Sequence, residues 1–452
     1  MSSATAPAID SPDTALPAQR GVVWFAHVIR GMAAVVIIWG HLVAEFQDQE
    51  LVSRIAFTEP LPHVPSNFTI DVHHFLHDTW DINIGNSAVA VFFMVSGFVI
   101  PFSLERRTLG GFVIRRFLRF YPTLWAAIGL SMFFVWLQTR GNPFPYDASE
   151  VGGSMTLFSQ YAGERWIDPS YWTLPIEELF YLSAAACAVT GLLTSRVAIV
   201  SCAAGLAAVS VVVGSVPMPT PDNPPDWVFW TRLWLGRNAA FVIFVFVGVA
   251  LHHRYRGFWS RLDFTLVTMA LVAIFLVAMY HGPFQPPYQP ASQVNAYVNS
   301  YLAGLGLFLG AYWIGDRLPR HRVLDGLADM SYPIYLLNTV CGWVILVALS
   351  RAFDSYYWAL GATVGIVLAM AWALHRLVEV PSMHLARRIS GRPRFRTDRD
   401  YGTRPPPERP SEVSAAAPGP GPATSASERA PAGRVPRPAA SEAEVEAFPL
   451  RP

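Results

Sequence analysis

The sequence predicts an all-α membrane protein, a bundle of about ten transmembrane helices with disordered cytoplasmic termini. Three observations carry that reading. The 452 residues are 52% hydrophobic and 14% charged with a mean hydropathy of +0.33, more apolar surface than a soluble core can use. Apolar runs of about 20 residues, the length that crosses a bilayer, recur along the chain. Basic residues cluster in alternate connections between those runs, the bias that orients membrane helices.

The runs lie near 22–46, 86–104, 117–138, 172–194, 197–216, 229–252, 263–281, 297–316, 329–350 and 356–378. The first is long, carries Arg30 and His41 in its middle and lacks a small-residue cleavage site, so it reads as a retained helix rather than a signal peptide. After the second run come Arg106, Arg107, Arg115, Arg116 and Arg119. After the sixth come Arg254, Arg256 and Arg261, and after the eighth Arg317, Arg320 and Arg322. All three connections fall on one side, which is therefore cytoplasmic. The opposite loops, 47–85, 139–171, 217–228 and 282–296, are rich in Pro and aromatic residues and hold only Arg54, Arg140 and Arg165. A multi-pass protein of the cell (inner) membrane with both termini cytoplasmic follows. The lipid bilayer is the expected partner, and nucleic acid is not. Every basic residue in the Lys+Arg count is Arg, a choice that suits anion recognition.

Outside the runs, 1–20 reads as a disordered tail, 21–382 as the membrane domain and 383–452 as a second tail, first basic and then rich in Pro and Ala. The basic stretch His384–Arg396 fits anionic lipid headgroups. No soluble catalytic domain is evident, so any chemistry belongs to the bundle.

Within the first run, Arg30 and His41 are eleven positions apart, three helical turns plus roughly 20°, which puts them on one face about 16 Å apart along the axis. An intramembrane guanidinium is costly unless paired or facing a polar cavity, so the pair marks a site; a snorkelling Arg and a packing His are the bland reading. Cys187, Cys202 and Cys341 all sit in apolar runs and read as small hydrophobes. In the outer loop, His73 and His77 with Asp78 or Asp81 have a spacing that can ligate zinc, but without a further ligand set the segment reads as an amphipathic interfacial helix, and no metal is expected.

Several short strings then occur in order: Arg30-x10-His41, Val91-Phe-Phe-Met-Val-Ser-Gly97, Arg116-x-x-Arg119-x-Tyr121-Pro122, Trp172-Thr-Leu-Pro-Ile-Glu177-Glu-Leu-Phe-Tyr181, Ser331-Tyr-Pro-Ile-Tyr335 and Glu379-Val-Pro381. Together they resemble the acyltransferase-3 family of integral membrane O-acyltransferases across residues 21–382. The resemblance implies transfer of an acyl group from acyl-CoA, acetyl-CoA foremost, to a hydroxyl of a sugar, envelope glycan, lipid or natural product.

The residues make chemical sense in that role. A His with pKa near 6.5 can remove the proton of an attacking alcohol, which makes His41 the candidate general base. Glu45, one turn further on, either orients its ring or is an interfacial residue. Arg30 belongs by the resemblance to the same site, as a phosphate contact or the partner of Glu177, which as an intramembrane carboxylate needs one. Arg116 and Arg119, at i and i+3 with Tyr121, fit phosphate binding at the cytoplasmic mouth. Ser96 beside Gly97 reads as helix packing or a polar site group, and Trp172, Tyr332 and Tyr335 as cavity lining or an aromatic belt. Asn338 stands where many family members carry a histidine. It cannot exchange a proton near neutral pH, so acid-base work falls to His41. A transporter with Arg30, His41 and Glu177 as a proton or anion path is the alternative, although no internal repeat symmetry is evident.

Overall fold

The computed structural model describes residues 17–390 apart from 106–107, 141, 223, 287 and 318–320. The tails expected at the two ends therefore lie largely outside the described residues, as do Arg106, Arg107 and Arg320. Helix begins at Pro17 and continues through Ile389, so the described fold takes in the ends of both expected tails.

Among the described residues the chain is helical, without β-strand. The helices are α1 (Pro17–Trp39), α2 (Gln49–Ala56), α3 (Phe68–Trp80), α4 (Ile84–Glu105), α5 (Leu109–Gln138), α6 (Ala148–Thr156), α7 (Ser159–Ala162), α8 (Leu174–Val189) and α9 (Arg196–Ala208). They continue as α10 (Trp227–Tyr255), α11 (Arg261–His281), α12 (Ala291–Trp313), α13 (Arg322–Asp329), α14 (Ser331–Leu337), α15 (Val340–Ala352), α16 (Tyr356–Leu374) and α17 (Val380–Ile389).

Seven described segments are long and apolar enough to cross a membrane, and α14–α15, bent by 61° at their junction, make an eighth if counted as one broken span. The expected count of about ten is not reached by that measure. At 16 residues α8 is too short, and α12 carries Asn295, Asn299 and Ser300 in its first half, which dilutes its apolar character. Both nevertheless pack inside the bundle, α8 against α10 and α12 against α4.

Short polar side chains start many of the helices, because the first N–H groups of a helix lack partners within it. Asp48, Asn67, Thr108, Ser195 and Asp226 cap α2, α3, α5, α9 and α10. Asp147 with Glu150 and Ser260 with Asp263 form reciprocal capping boxes on α6 and α11. The outer loop 47–85 is thus folded, holding α2 and α3.

Two apolar clusters build the core. One centres on α4 and α10, with α10 buried almost all round; the other joins α5, α14, α15 and α16 to the C-terminal half of α1. Phe92 and Tyr335 pack against both. In the first cluster α4 and α10 cross in direct backbone contact: a Cβ on Gly97 would strike the Val245 carbonyl, and one on Gly248 the Met94 carbonyl. Gly97→Ala is therefore expected to destabilise the protein by about 1–3 kcal/mol, the usual range for overpacking, read as a lowered melting temperature in detergent. An unchanged melting temperature would show that the crossing relaxes freely.

Candidate functional site

Where the two clusters meet, a cavity of about 900 Å³, its mouth included, opens among α1, α4, α5, α8 and α14. Seven of the residues singled out from sequence line it: Arg30, Ser96, Arg116, Arg119, Glu177, Tyr332 and Tyr335. Each arrives by its own helix. On α4, Gly97 allows the approach to α10 while the neighbouring Ser96 turns into the cavity. The Glu177 carboxylate accepts hydrogen bonds from Ser96 Oγ and Tyr181 OH, both at 3.0 Å. An intramembrane carboxylate held by two hydroxyls is a satisfied polar group.

The arginines occupy the other wall. Arg116 lies over the rings of Phe112 and Tyr181, 5.4 and 5.2 Å from their centroids, and donates to Ser103 Oγ at 3.3 Å. Arg119 Nε stands 3.9 Å from a Glu379 carboxylate oxygen. Tyr332 donates to the Phe120 carbonyl at 3.0 Å; Tyr335 meets Thr173 Oγ1 at 2.6 Å and donates to the Ser170 carbonyl.

A second hollow of about 670 Å³ shares Arg30 and Arg119 with the first and is lined also by His27, Asp329, His375, Glu379, His384 and Arg387. Glu379 is buried and paired with His375 Nδ1 at 2.8 Å within a π turn, His375–Glu379. The two guanidiniums thus stand in a wall common to a cationic hollow and a more apolar one.

His41 is not among the residues lining either hollow. Below it α1 is regular; at Gly40–Ala44 it widens into a π turn, a distortion frequent at functional sites. His41 Nδ1 lies 2.6 Å from Glu45 Oε2, and the His41 carbonyl accepts the Trp343 indole N–H at 2.8 Å. The imidazole is mostly buried and Glu45 half-exposed. With Nδ1–H donated to Glu45, Nε2 keeps its lone pair.

Four other singled-out residues also stand outside the cavity. Tyr121 does not line the cavity that Arg116 and Arg119 line; it stacks on Phe117 and donates to the carboxylate of Glu178 on α8. Trp172 packs on Phe241. Asn338 is fully buried at the α14–α15 break and spends its amide on the Ile334 and Tyr335 carbonyls, so it is a structural residue of the break. Glu45 reaches the site only through His41.

Sequence reasoning missed Asp168. Fully buried, it accepts from Ser170 N–H and Ser170 Oγ, and from the N–H of Val340, the first residue of α15. Three residues further along α15, Trp343 holds His41, and two residues beyond Asp168 the Ser170 carbonyl holds Tyr335. One carboxylate therefore ties the His41 turn to the cavity. An acidic residue in a loop rich in Pro and aromatics gives no periodic signal.

In the outer loop, burial and the neighbouring His74 and His77 hold the His73 imidazole below its usual range. No cluster of three or more His, Cys, Asp or Glu side chains able to hold a metal occurs among the described residues. The three cysteines are free thiols.

Compared with known protein families, residues 23–375 match an acyltransferase domain. No curated protein and no solved structure matches the chain.

Proposed function

The chain belongs to the acyltransferase-3 family, and on that premise we propose that it is a multi-pass inner-membrane O-acyltransferase that moves a short acyl group, acetyl foremost, from acyl-CoA to a hydroxyl-bearing acceptor. The observation that carries this reading is the convergence of Arg30, Arg116 and Arg119 on one cavity with Glu177, Arg30 lying on the same helix that leads into the His41–Glu45 turn.

Three guanidiniums suit the phosphates of CoA, since Arg presents planar, permanently charged donors. The shared hollow at Arg30 and Arg119, with Arg387 and His384 beyond, is the route by which such an anion enters from the cytoplasm. Arg30 to His41 is about 16 Å along a regular helix, a separation that an extended pantetheine arm bridges. In the transfer the acceptor hydroxyl gives its proton to His41 Nε2 as its oxygen attacks the thioester carbonyl. The C–S bond then breaks, and the imidazolium returns the proton to the CoA thiolate. Glu45 fixes the tautomer and stabilises the imidazolium, as a carboxylate does beside a catalytic histidine. Both termini are cytoplasmic in this arrangement. The acceptor is a hydroxyl of a carbohydrate, envelope glycan, lipid or natural product.

The test is CoA release from radiolabelled acetyl-CoA by the purified protein in nanodiscs, with an envelope or metabolite extract as acceptor. Release above a protein-free control, with label moved to the extract, is expected; none with any acyl chain would overturn the reading. Arg116→Gln is expected to raise KM for acetyl-CoA at least about tenfold with a smaller change in kcat, the pattern of lost binding.

A further inference from the structure

α5 and α8 both wall the cavity, but their backbones approach each other at few points compared with α4 and α10. Side chains close the seam between them. Toward the cytoplasm, Phe112 and Arg116 rest on Tyr181. Further out, the Tyr121 hydroxyl bonds the Glu178 carboxylate. Each member of that pair follows directly on a cavity residue: Phe120 precedes Tyr121 and Glu177 precedes Glu178. The pair itself does not line the cavity.

The outer side of the seam is apolar and faces the bilayer. Leu182, one turn along α8 from Glu178, is 69% exposed, and Phe117 and Trp125, which flank Tyr121 on α5, are 45% and 40% exposed. A half-buried carboxylate on the outer side of an otherwise apolar helix is costly, and such residues mark substrate pathways. A Leu there would have sealed the seam at no such cost. The Tyr121–Glu178 hydrogen bond, by contrast, opens without disturbing the Phe112–Tyr181 contact nearer the other end of the seam.

We infer that the α5–α8 seam is a lateral portal latched by Tyr121 and Glu178, through which a bilayer-resident amphiphile, a hydroxyl-bearing headgroup on a hydrocarbon anchor, reaches the cavity. The entrant's chemistry follows from the two sides of the seam. Its headgroup enters past Glu177, Ser96 and Tyr181 on the way toward His41, while its hydrocarbon stays among Phe117, Trp125 and Leu182 outside. This rests on the transferase reading only in calling the entrant the acceptor; the portal itself rests on the seam.

The probe is a long-chain alkyl glucoside with a diazirine near its headgroup, in phosphatidylcholine nanodiscs holding the full chain. After photolysis, label is expected on peptides spanning 96–100 and 174–181. Glu178→Trp, which removes the latch and plugs the seam, is expected to cut that labelling at least fivefold while acetyl-CoA binding stays within about twofold. Tyr121→Phe, which leaves the seam unlatched, is expected to speed labelling at least threefold. If Glu178→Trp does not fold, Leu182→Trp serves as the plug. Unchanged labelling in the plugged protein, or label confined to other helices, would overturn the portal. CoA release by the wild-type protein, measured without photolysis, reports separately on the transferase reading.

Discussion

Replacing His41 by alanine is expected to lower acyl transfer by about 10²–10⁴-fold, the usual contribution of a positioned general base. Truncation removes a ring bonded to Glu45 and leaves the backbone carbonyl that Trp343 uses, so the π turn keeps its anchor. Membrane expression, elution volume and melting temperature should stay near wild type while CoA release falls. Turnover at the wild-type rate would remove His41 from the chemistry. Glu45→Gln is the informative companion: the amide can still bond Nδ1 but carries no charge to stabilise an imidazolium, so a smaller loss than that of His41→Ala is expected.

Asp168→Ala is expected to act on the fold first. Three donors, Ser170 N–H, Ser170 Oγ and Val340 N–H, converge on its carboxylate in a fully buried setting. A donor left buried and unpartnered costs about 1–3 kcal/mol, so a loss of about 2–4 kcal/mol is reasonable after partial relaxation. Thermal unfolding in detergent reads it. Asp168→Asn keeps one acceptor oxygen but turns an N–H₂ group toward either the Ser170 donors or Val340 N–H, and should fall between. If both variants melt with wild type, the break between α14 and α15 does not depend on this carboxylate.

The contrast between these two residues shows what the sequence could convey. His41, Arg30 and Glu177 were legible because an ionisable group inside an apolar run is anomalous on its own. Arg116 and Arg119 were legible as a pair at i and i+3, on one face of one helix. Which helix that face meets is a property of packing, and no single string carries it. Tyr121 shares its string with the two arginines but does not line their cavity. Trp172 and Asn338 belong to strings that reach the cavity through Glu177 and Tyr335, while they themselves fill the core. The π turn at Gly40–Ala44 has no mark in a uniform 3.6-residue repeat, and it sets His41's surroundings. The expected span count exceeds the number of long apolar helices for a related reason. Apolar runs around 172–194 and 297–316 were read as full crossings, but α8 is closed in by the turn Pro169–Thr173, and α12 spends its first half on polar contacts. The loops 47–85 and 139–171 held no apolar run, so α2, α6 and α7 were not anticipated as helices; α2, α3 and α6 start at the caps Asp48, Asn67 and Asp147.

The wall shared by the two hollows has a consequence for the bilayer's insulation. A protein that admits a charged thioester into its interior risks becoming a leak, because any hydrated path to the buried cavity also invites protons driven by the membrane potential. Arg30 and Arg119 stand in that wall, and fixed guanidiniums in a narrow passage repel hydronium and metal cations while admitting anions, the device that water-conducting pores use against proton leakage. On the proposed reading, the charges that would hold a polyphosphate also let the bundle stay hollow without discharging the membrane that houses it.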